Sequence, residues 1–524
     1  MTVTSVSERC KRVASHPWIS GIALLCLGVM QAFSLAWPGH GQPVWWLQIL
    51  SLAGAFALLL QARSPGQAAW RAWLFALAWL AGTFWWLFIS MHTYGGLPAP
   101  LAAMAVFALA AFLAVYYAAA AWLWRRSGAQ QGVVAVVMLA ACWTLAELAR
   151  GNWFTGFPWG AGGYAHVDGW LAGLPRWVGA YGVGAFATAL AACLALMGRV
   201  QSRSKSVGIA LCGGLLIAGI AQWGQSSLLA SVSPRPAISV ALLQGNIAQD
   251  EKFVPGGGVE AALQWYGEQL LQQPAQLVVA PETALPMLPQ QLPQGYWEAV
   301  SAPYQAPSST SAALVGMPLG NRMQGYTNSV IGWIPGEMTE YRYDKHHLVP
   351  FGEFIPPMFH WFVRMMNIPL GDFQRGSAAQ ASLSWLGERW APNICYEDLF
   401  GEELGKRFSK GESAPTVLVN VSNIAWFGNS IAIDQHLHIS RMRTLEFERP
   451  MLRATNTGAT VVIDHRGVVT AALQPHTQAV LLAQVQGRDG LTPFAQWVSR
   501  WGLWPLWLGC LAVALVCARQ RKQI

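Results

Sequence analysis

Apolar positions run almost unbroken through two stretches of the chain, about 17–224 and 497–518, and alternate with polar ones between them. The first stretch divides into seven segments, at about 18–37, 43–62, 68–90, 98–124, 132–150, 177–198 and 206–224, and an eighth lies at about 500–518. A bilayer is crossed by about 20 apolar residues in a helix, so each segment is read as a membrane-spanning helix. The first lacks a small-residue cleavage site and reads as a retained anchor rather than a removed signal.

Between the apolar stretches the pattern changes. Strands are predicted at 237–245, 276–280, 312–317, 327–334, 391–395, 416–421, 459–463 and 480–484, with helices near 258–272 and at 434–448, ahead of Pro450. Short buried strands alternating with helices predict a layered α/β fold. The fold class expected is therefore an α-helical membrane domain of eight transmembrane helices plus an α/β domain. Its parts are a seven-helix region at 1–225, a globular domain at 226–496, and a C-terminal helix and tail at 497–524.

Composition sharpens this picture. Of 524 residues, 54% are hydrophobic and only 11% charged, against about a quarter charged in soluble domains. The net charge of +8 carries no nucleic-acid motif with it. Its basic residues instead mark alternate loops: Arg9, Lys11 and Arg12, then Arg63, then Arg125 and Arg126, then Arg199, Arg203 and Lys205, and finally Arg519, Arg521 and Lys522, while of the loops between them the first and third have none and the fifth has Arg150 and Arg176. By the positive-inside rule the N-terminus is cytoplasmic and the globular domain is outside. Trp45, Trp46, Trp85, Trp86, Trp122 and Trp124 fall near span ends, as aromatic belts do. The loop at 151–163, rich in glycine and aromatics, is either interfacial or lines a lipid path.

Seven of the eight cysteines lie in or beside the apolar stretches, and Cys395 alone lies in the globular domain. It cannot form a disulfide within that domain. It sits in Ala391-Pro-Asn-Ile-Cys-Tyr-Glu-Asp398, at the end of a predicted strand, and is either inert and buried or a nucleophile. Leu277-Val-Val-Ala-Pro-Glu-Thr283 offers Glu282 at another strand end, as a general base or a surface carboxylate. Tyr341-Arg-Tyr-Asp-Lys-His-His-Leu-Val-Pro-Phe-Gly-Glu353 offers Lys345, as an oxyanion holder or part of a solvated cluster. It also offers Glu353, as a carboxylate that orients the lysine or the base. The histidines do not read as metal ligands: His436 and His438, two apart on a predicted helix, face different ways. No cofactor is expected. The apolar run at 354–373 suits contact with acyl chains, or else packs as core.

Taken together, the three segments resemble the nitrilase, or carbon–nitrogen hydrolase, superfamily. The longer matches at 281–283, 344–353, 394–397, Trp426-Phe-Gly428 and Arg453-Ala-Thr-Asn-Thr-Gly458 resemble its apolipoprotein N-acyltransferase family, over essentially the whole chain. The resemblance implies an α-β-β-α sandwich with Glu282 as general base, Lys345 as oxyanion stabiliser and Cys395 as nucleophile, and with Glu353, Tyr396 and Glu397 in support. It implies transfer of a fatty acyl chain, through a Cys395 thioester, from a membrane phospholipid to the α-amine of a lipid-modified N-terminal cysteine. The donor is expected to be phosphatidylethanolamine, the acceptors diacylglyceryl-modified apolipoproteins, and the site the periplasmic face of a bacterial inner membrane. The chain departs from the pattern at Ile424, where an acid is usual, and at Phe253, where a tryptophan is. Two rival readings are a membrane-tethered amidase acting on a small amide and a non-catalytic lipid or lipoprotein carrier.

Overall fold

The computed structural model describes residues 17–197, 204–227, 235–252, 254, 256–356, 373–409 and 411–520. The chain divides into two compact units. One takes in residues 1–85, 100–227 and 503–524, and the other residues 86–99 and 228–502.

The first unit is helical, with long apolar helices at Pro17–Leu35, Trp45–Leu59, Pro65–Phe84, Ala99–Ser127, Gly132–Asn152, Pro175–Met197, Ser204–Ser227 and Trp504–Gln520. Each predicted apolar segment is largely helical, those at 68–90 and 500–518 being broken by bends. Five helices are long and apolar enough to cross a membrane, or up to seven if each of two bent pairs is one span. Trp45–Leu59 is apolar but has only 15 residues. These are the helices of a membrane protein. Phe56, Trp79, Tyr117 and Trp143 form its aromatic centre, with Tyr117 and Trp143 rings 4.8 Å apart. Gly28 lets the first helix close on the third: a Cβ there would lie 2.4 Å from the Phe75 carbonyl oxygen.

Of the loop at 151–163, Trp153 and Phe154 at its start are exposed, and the part from Pro158 on is buried within this unit. Trp159, Tyr164 and His166 are buried. Buried loop backbone needs partners, and charged side chains of the preceding helix supply them. The Arg150 guanidinium donates to the carbonyls of Phe157 and Trp159 at 2.7 and 2.8 Å, and Glu147 accepts from Gly162 N–H at 3.1 Å. Trp124, placed on an aromatic belt by its position in the sequence, is fully buried in the helical packing.

The second unit contains two six-stranded sheets. In chain order the strands are β1 (Ile238–Gln244), β2 (Leu277–Val279), β3 (Ala312–Asn321), β4 (Gly325–Trp333), β5 (Tyr341–Asp344), β6 (Leu383–Trp385), β7 (Glu388–Ile394), β8 (Val417–Ser422), β9 (Met451–Thr455), β10 (Val461–Ile463), β11 (Val469–Ala472) and β12 (Ala479–Val485). One sheet has the order β12-β1-β2-β3-β4-β5, the other β11-β10-β9-β8-β7-β6. In both, three parallel central strands are flanked by antiparallel ones.

The period of two explains the layering. Val240 and Leu242 join Val419, Val421 and Leu452 between the sheets. Their neighbours Ala241 and Leu243 face outward, onto Ala262, Leu263 and Tyr266 of helix Gly258–Gln272. Helix Ala432–Phe447 packs beyond the other sheet and ends at Glu448, whose φ of 50° stops it. The layers are α-β-β-α.

Residues 86–99 belong to this unit, which corrects the expectation of one helix over 68–90. The helix stops at Phe84, and Trp86, expected on an aromatic belt, is buried: its ring lies 4.2 Å from that of Phe427, and its indole N–H donates to Gln435 at 3.0 Å.

Candidate active site

Glu282, Lys345 and Cys395 all follow the carboxyl ends of strands, where open α/β sheets place their ligand sites. Glu282 lies three residues past β2, in a turn closed by a hydrogen bond from Ala284 N–H to the Pro281 carbonyl at 3.1 Å. Thr283 has φ 48°, a conformation that a β-branched residue rarely adopts. Gly316 of β3 makes room for this turn: a Cβ there would meet the Pro281 carbonyl oxygen at 2.3 Å and Glu282 Cα at 2.8 Å. Lys345 directly follows β5, and its N–H donates to the Asn328 carbonyl at 2.8 Å. Cys395 directly follows β7 at φ 52° and opens the turn Cys395–Leu399. Such strained conformations collect at functional sites.

The charged groups converge. Lys345 is almost wholly buried, and its Nζ donates to Glu282 Oε1 at 3.2 Å and to Glu353 Oε1 at 2.9 Å. Asn328 Nδ2 bridges the same two oxygens, 2.7 Å from each. Glu282 Oε2 accepts from Asn423 N–H at 2.8 Å, and Glu353 Oε2 from Val349 N–H at 2.8 Å. Burial alone would raise the Glu282 carboxyl, but Lys345, Asn328, Asn423 N–H and Lys252 overcome it and hold the carboxyl below its ordinary value. Burial alone would lower the Lys345 ammonium, but Glu282 and Glu353 hold it above its ordinary value.

Cys395 is the partly exposed member of the group. Burial, then Glu282, pushes its thiol up to about 12, against the opposing pull of Lys345. The thiol is therefore protonated at rest, beside a carboxylate that is ionised and an ammonium whose charge is held. Lys345 carries three protons, and among the described residues two of them go to carboxylates.

The supporting residues fall into place around these. Glu397 accepts from Tyr343 Oη at 2.9 Å, Ile394 N–H at 2.6 Å, His346 N–H at 2.6 Å and His347 N–H at 3.2 Å. It thus ties the end of β7 to the segment carrying Lys345. Tyr396 is buried, its ring 5.2 Å from Phe400 and 5.6 Å from His347.

Residues not singled out in the sequence complete the setting. Lys252 is fully buried and donates to the Glu282 carbonyl and to Thr283 Oγ1, each at 3.1 Å. Behind Cys395, Asp398 bonds to His436 Nε2 at 2.8 Å and accepts from Ser440 Oγ at 2.5 Å, with Arg453 Nη1 at 3.3 Å. Arg453 Nη2 donates to His436 Nδ1 at 2.8 Å. A guanidinium has no acceptor, so Nδ1 is the bare nitrogen and Nε2–H faces Asp398. Asn420 Nδ2 donates to the Cys395 carbonyl at 3.2 Å and accepts from Arg453 through Oδ1 at 3.0 Å. Asn328, Asn420 and Arg453 are polar residues inside buried strands. That contradiction is a signal, because such groups persist only when partnered.

Ile424, the departure at the expected acid, is buried, and a Cβ on Gly458 would lie 2.5 Å from its Cγ2. The position serves packing here. Phe253 and residues 357–372 of the apolar run lie outside the described residues; the flanks of the run return together beside Glu353, where Phe373 N–H donates to its carbonyl at 2.9 Å.

An α-β-β-α sandwich of this kind is the nitrilase-like fold of a carbon–nitrogen hydrolase domain. The family model for carbon-nitrogen hydrolase matches residues 239–491, and that for the apolipoprotein N-acyltransferase N-terminal domain matches residues 27–194. Apolipoprotein N-acyltransferase of Verminephrobacter eiseniae is 57% identical over 93% of each chain, and that of Ralstonia nicotianae 47% identical over 95% of this chain and 92% of its own. A carbon-nitrogen hydrolase structure from Helicobacter pylori G27 is similar at 14% identity and a TM-score of 0.34, covering 52% of this chain and 94% of its own. The chain belongs to the apolipoprotein N-acyltransferase family.

Proposed function

We propose that this protein N-acylates apolipoproteins by a two-step reaction through a Cys395 thioester, with Glu282 as general base and Lys345 as oxyanion stabiliser. The observation that carries the reading is the placing of a partly exposed Cys395, on a strained turn, under the charges of Glu282 and Lys345.

The donor is a membrane phospholipid, phosphatidylethanolamine by the family resemblance. As Cys395 Sγ attacks the ester carbonyl, its proton passes to Glu282 and the free proton of Lys345 meets the oxyanion. The tetrahedral intermediate then expels the ester oxygen, which takes the proton from Glu282, and a lysophospholipid leaves. In the second step the α-amine of the lipid-modified cysteine attacks the thioester. Glu282 takes the amine's proton, the C–S bond breaks, and the thiol is restored as an amide forms. Splitting the transfer lets two bulky lipids use one site in turn.

The same reading takes all eight apolar segments as spans, with residues 226–496 on the periplasmic side of the inner membrane. Among the rivals, the amidase predicts an acyl-enzyme that water discharges quickly, and the carrier predicts that Cys395→Ala keeps function. Acyl-enzyme prepared with phospholipid alone is therefore expected to persist in buffer and to discharge on adding a diacylglyceryl lipopeptide. Discharge by water at the same rate would overturn the transferase reading, and full activity of Cys395→Ala would overturn the enzyme reading.

A further inference from the structure

Lys252 raises a question that the reaction alone does not answer. It is a fully buried lysine whose bonds, among the described residues, go to a carbonyl and a hydroxyl, not to a carboxylate. Burying an ammonium without a counter-charge is costly. Its chain neighbours Asp250 and Glu251 are exposed. The charge it answers is that of Glu282, on which it acts together with Lys345.

The balance of charge explains why a second cation belongs there. Glu282, Glu353 and Glu397 all act on Lys345 or are acted on by it. Arg453 and Asp398 largely offset each other behind the turn, and His436 bonds to both. With Lys345 alone, three carboxylates would face one cation, and because the Cys395 proton passes to Glu282 the same negative charge stays in the site when the thiolate forms. Lys252 supplies the second cation. Its bond to Thr283 Oγ1 also pins the residue that holds φ 48° directly after Glu282.

We propose that Lys252 is a positioning residue for the acylation step, fixing the strained turn that aims Glu282 and supplying the second positive charge that lets the site hold a thiolate. This rests on the reading of Glu282 and Cys395 as base and nucleophile. Burial brings the Lys252 ammonium down to about 8 against the opposing pull of Glu282, so its charge is lost on the alkaline side, whereas an arginine's persists.

The test uses the full chain in phosphatidylethanolamine nanodiscs, comparing wild type with Lys252→Met and Lys252→Arg. Acylation is followed against pH, and iodoacetamide alkylation of the Cys395 peptide by mass spectrometry. Removing a nearby cation shifts the group it faces by about one pKa unit or more, so Lys252→Met is expected to raise the Glu282 carboxyl and move the acid limb of acylation up by about one pH unit, and to slow Cys395 alkylation at a fixed pH. Lys252→Arg is expected to keep the neutral rate and hold acylation to higher pH than wild type. A folded Lys252→Met with wild-type alkylation and pH limbs would overturn the proposal. If Lys252→Met does not fold, a Lys252→Arg profile superimposable on wild type would do so. Wild type that forms no Cys395 adduct sinks the function itself; an adduct with an unaltered Lys252→Met sinks only this inference.

Discussion

At the scale of the residue, the controlling fact is that Cys395 rests as a thiol. In the proposed mechanism its activation depends on a base that stays ionised, and Glu282 stays so because Lys345, Asn328 and the Asn423 N–H overcome the cost of its burial. A carboxyl held below its ordinary value stays charged as pH falls through about 4.3, the usual glutamate figure. The acid limb of acylation is therefore expected below that pH. Asn328→Leu removes one donor from Glu282 and one from Glu353, which raises the Glu282 carboxyl and moves that limb upward. Bonds to charged groups contribute about 1.5–3 kcal/mol, so the acylation rate at neutral pH should fall at least tenfold in single-turnover measurements. An unchanged limb would show that Asn328 only packs. Cys395, Glu282, Lys345 and Glu353 were legible in the sequence because each stands beside a strand or in a long motif. Lys252 and Asn328 were not, because their meaning comes from partners 30 and 46 positions away.

At the scale of the element, two devices aim the site. Gly316 lets β3 pass under the Glu282 turn, and the Asp398–His436–Arg453 network fixes the Cys395 turn against helix Ala432–Phe447. Gly316→Ala is expected to leave the fold in place but displace Glu282. Misplacement by about 1 Å costs about 100-fold in rate, measurable as slowed acylation, and because the added Cβ meets backbone a melting temperature below wild type is expected with it. Asp398→Asn leaves Arg453 buried without its counter-charge, a change that costs about 3–5 kcal/mol and should appear in thermal unfolding. Asp398 is held below its ordinary value, burial being outweighed by His436, Arg453 and Ser440. Its contribution is present above the unfolded carboxyl value of about 3.9 and is lost as pH falls through the lower folded one. The long apolar strands were readable from their period. β5 and β6 were not, being only four and three residues long, nor was β11, an edge strand of partly exposed and exposed positions. β9 was hidden by Arg453, a charge in the middle of a buried strand.

At the scale of the whole molecule, unbroken apolar runs made the helical unit legible, and the alternation of strand and helix made the sandwich so. The burial of loop 156–167 and the membership of residues 86–99 in the α/β unit were hidden, since each depends on contacts made only after folding. The proposed topology predicts that Met323→Cys, on an exposed hairpin tip, reacts with a membrane-impermeant maleimide in intact spheroplasts. Gln130→Cys, in the loop after Arg125 and Arg126, should react only after lysis, with Cys10, Cys26, Cys212 and Cys395 replaced by serine in both. The reverse pattern would invert the molecule. The central claim, that Cys395 carries the fatty acid, is tested most directly by mass spectrometry of the full-length protein after incubation with phosphatidylethanolamine alone. The account predicts one acyl group on the peptide containing Cys395, released by hydroxylamine and missing from Glu282→Gln and Cys395→Ala. An unmodified Cys395 peptide in protein that is turning over would contradict it.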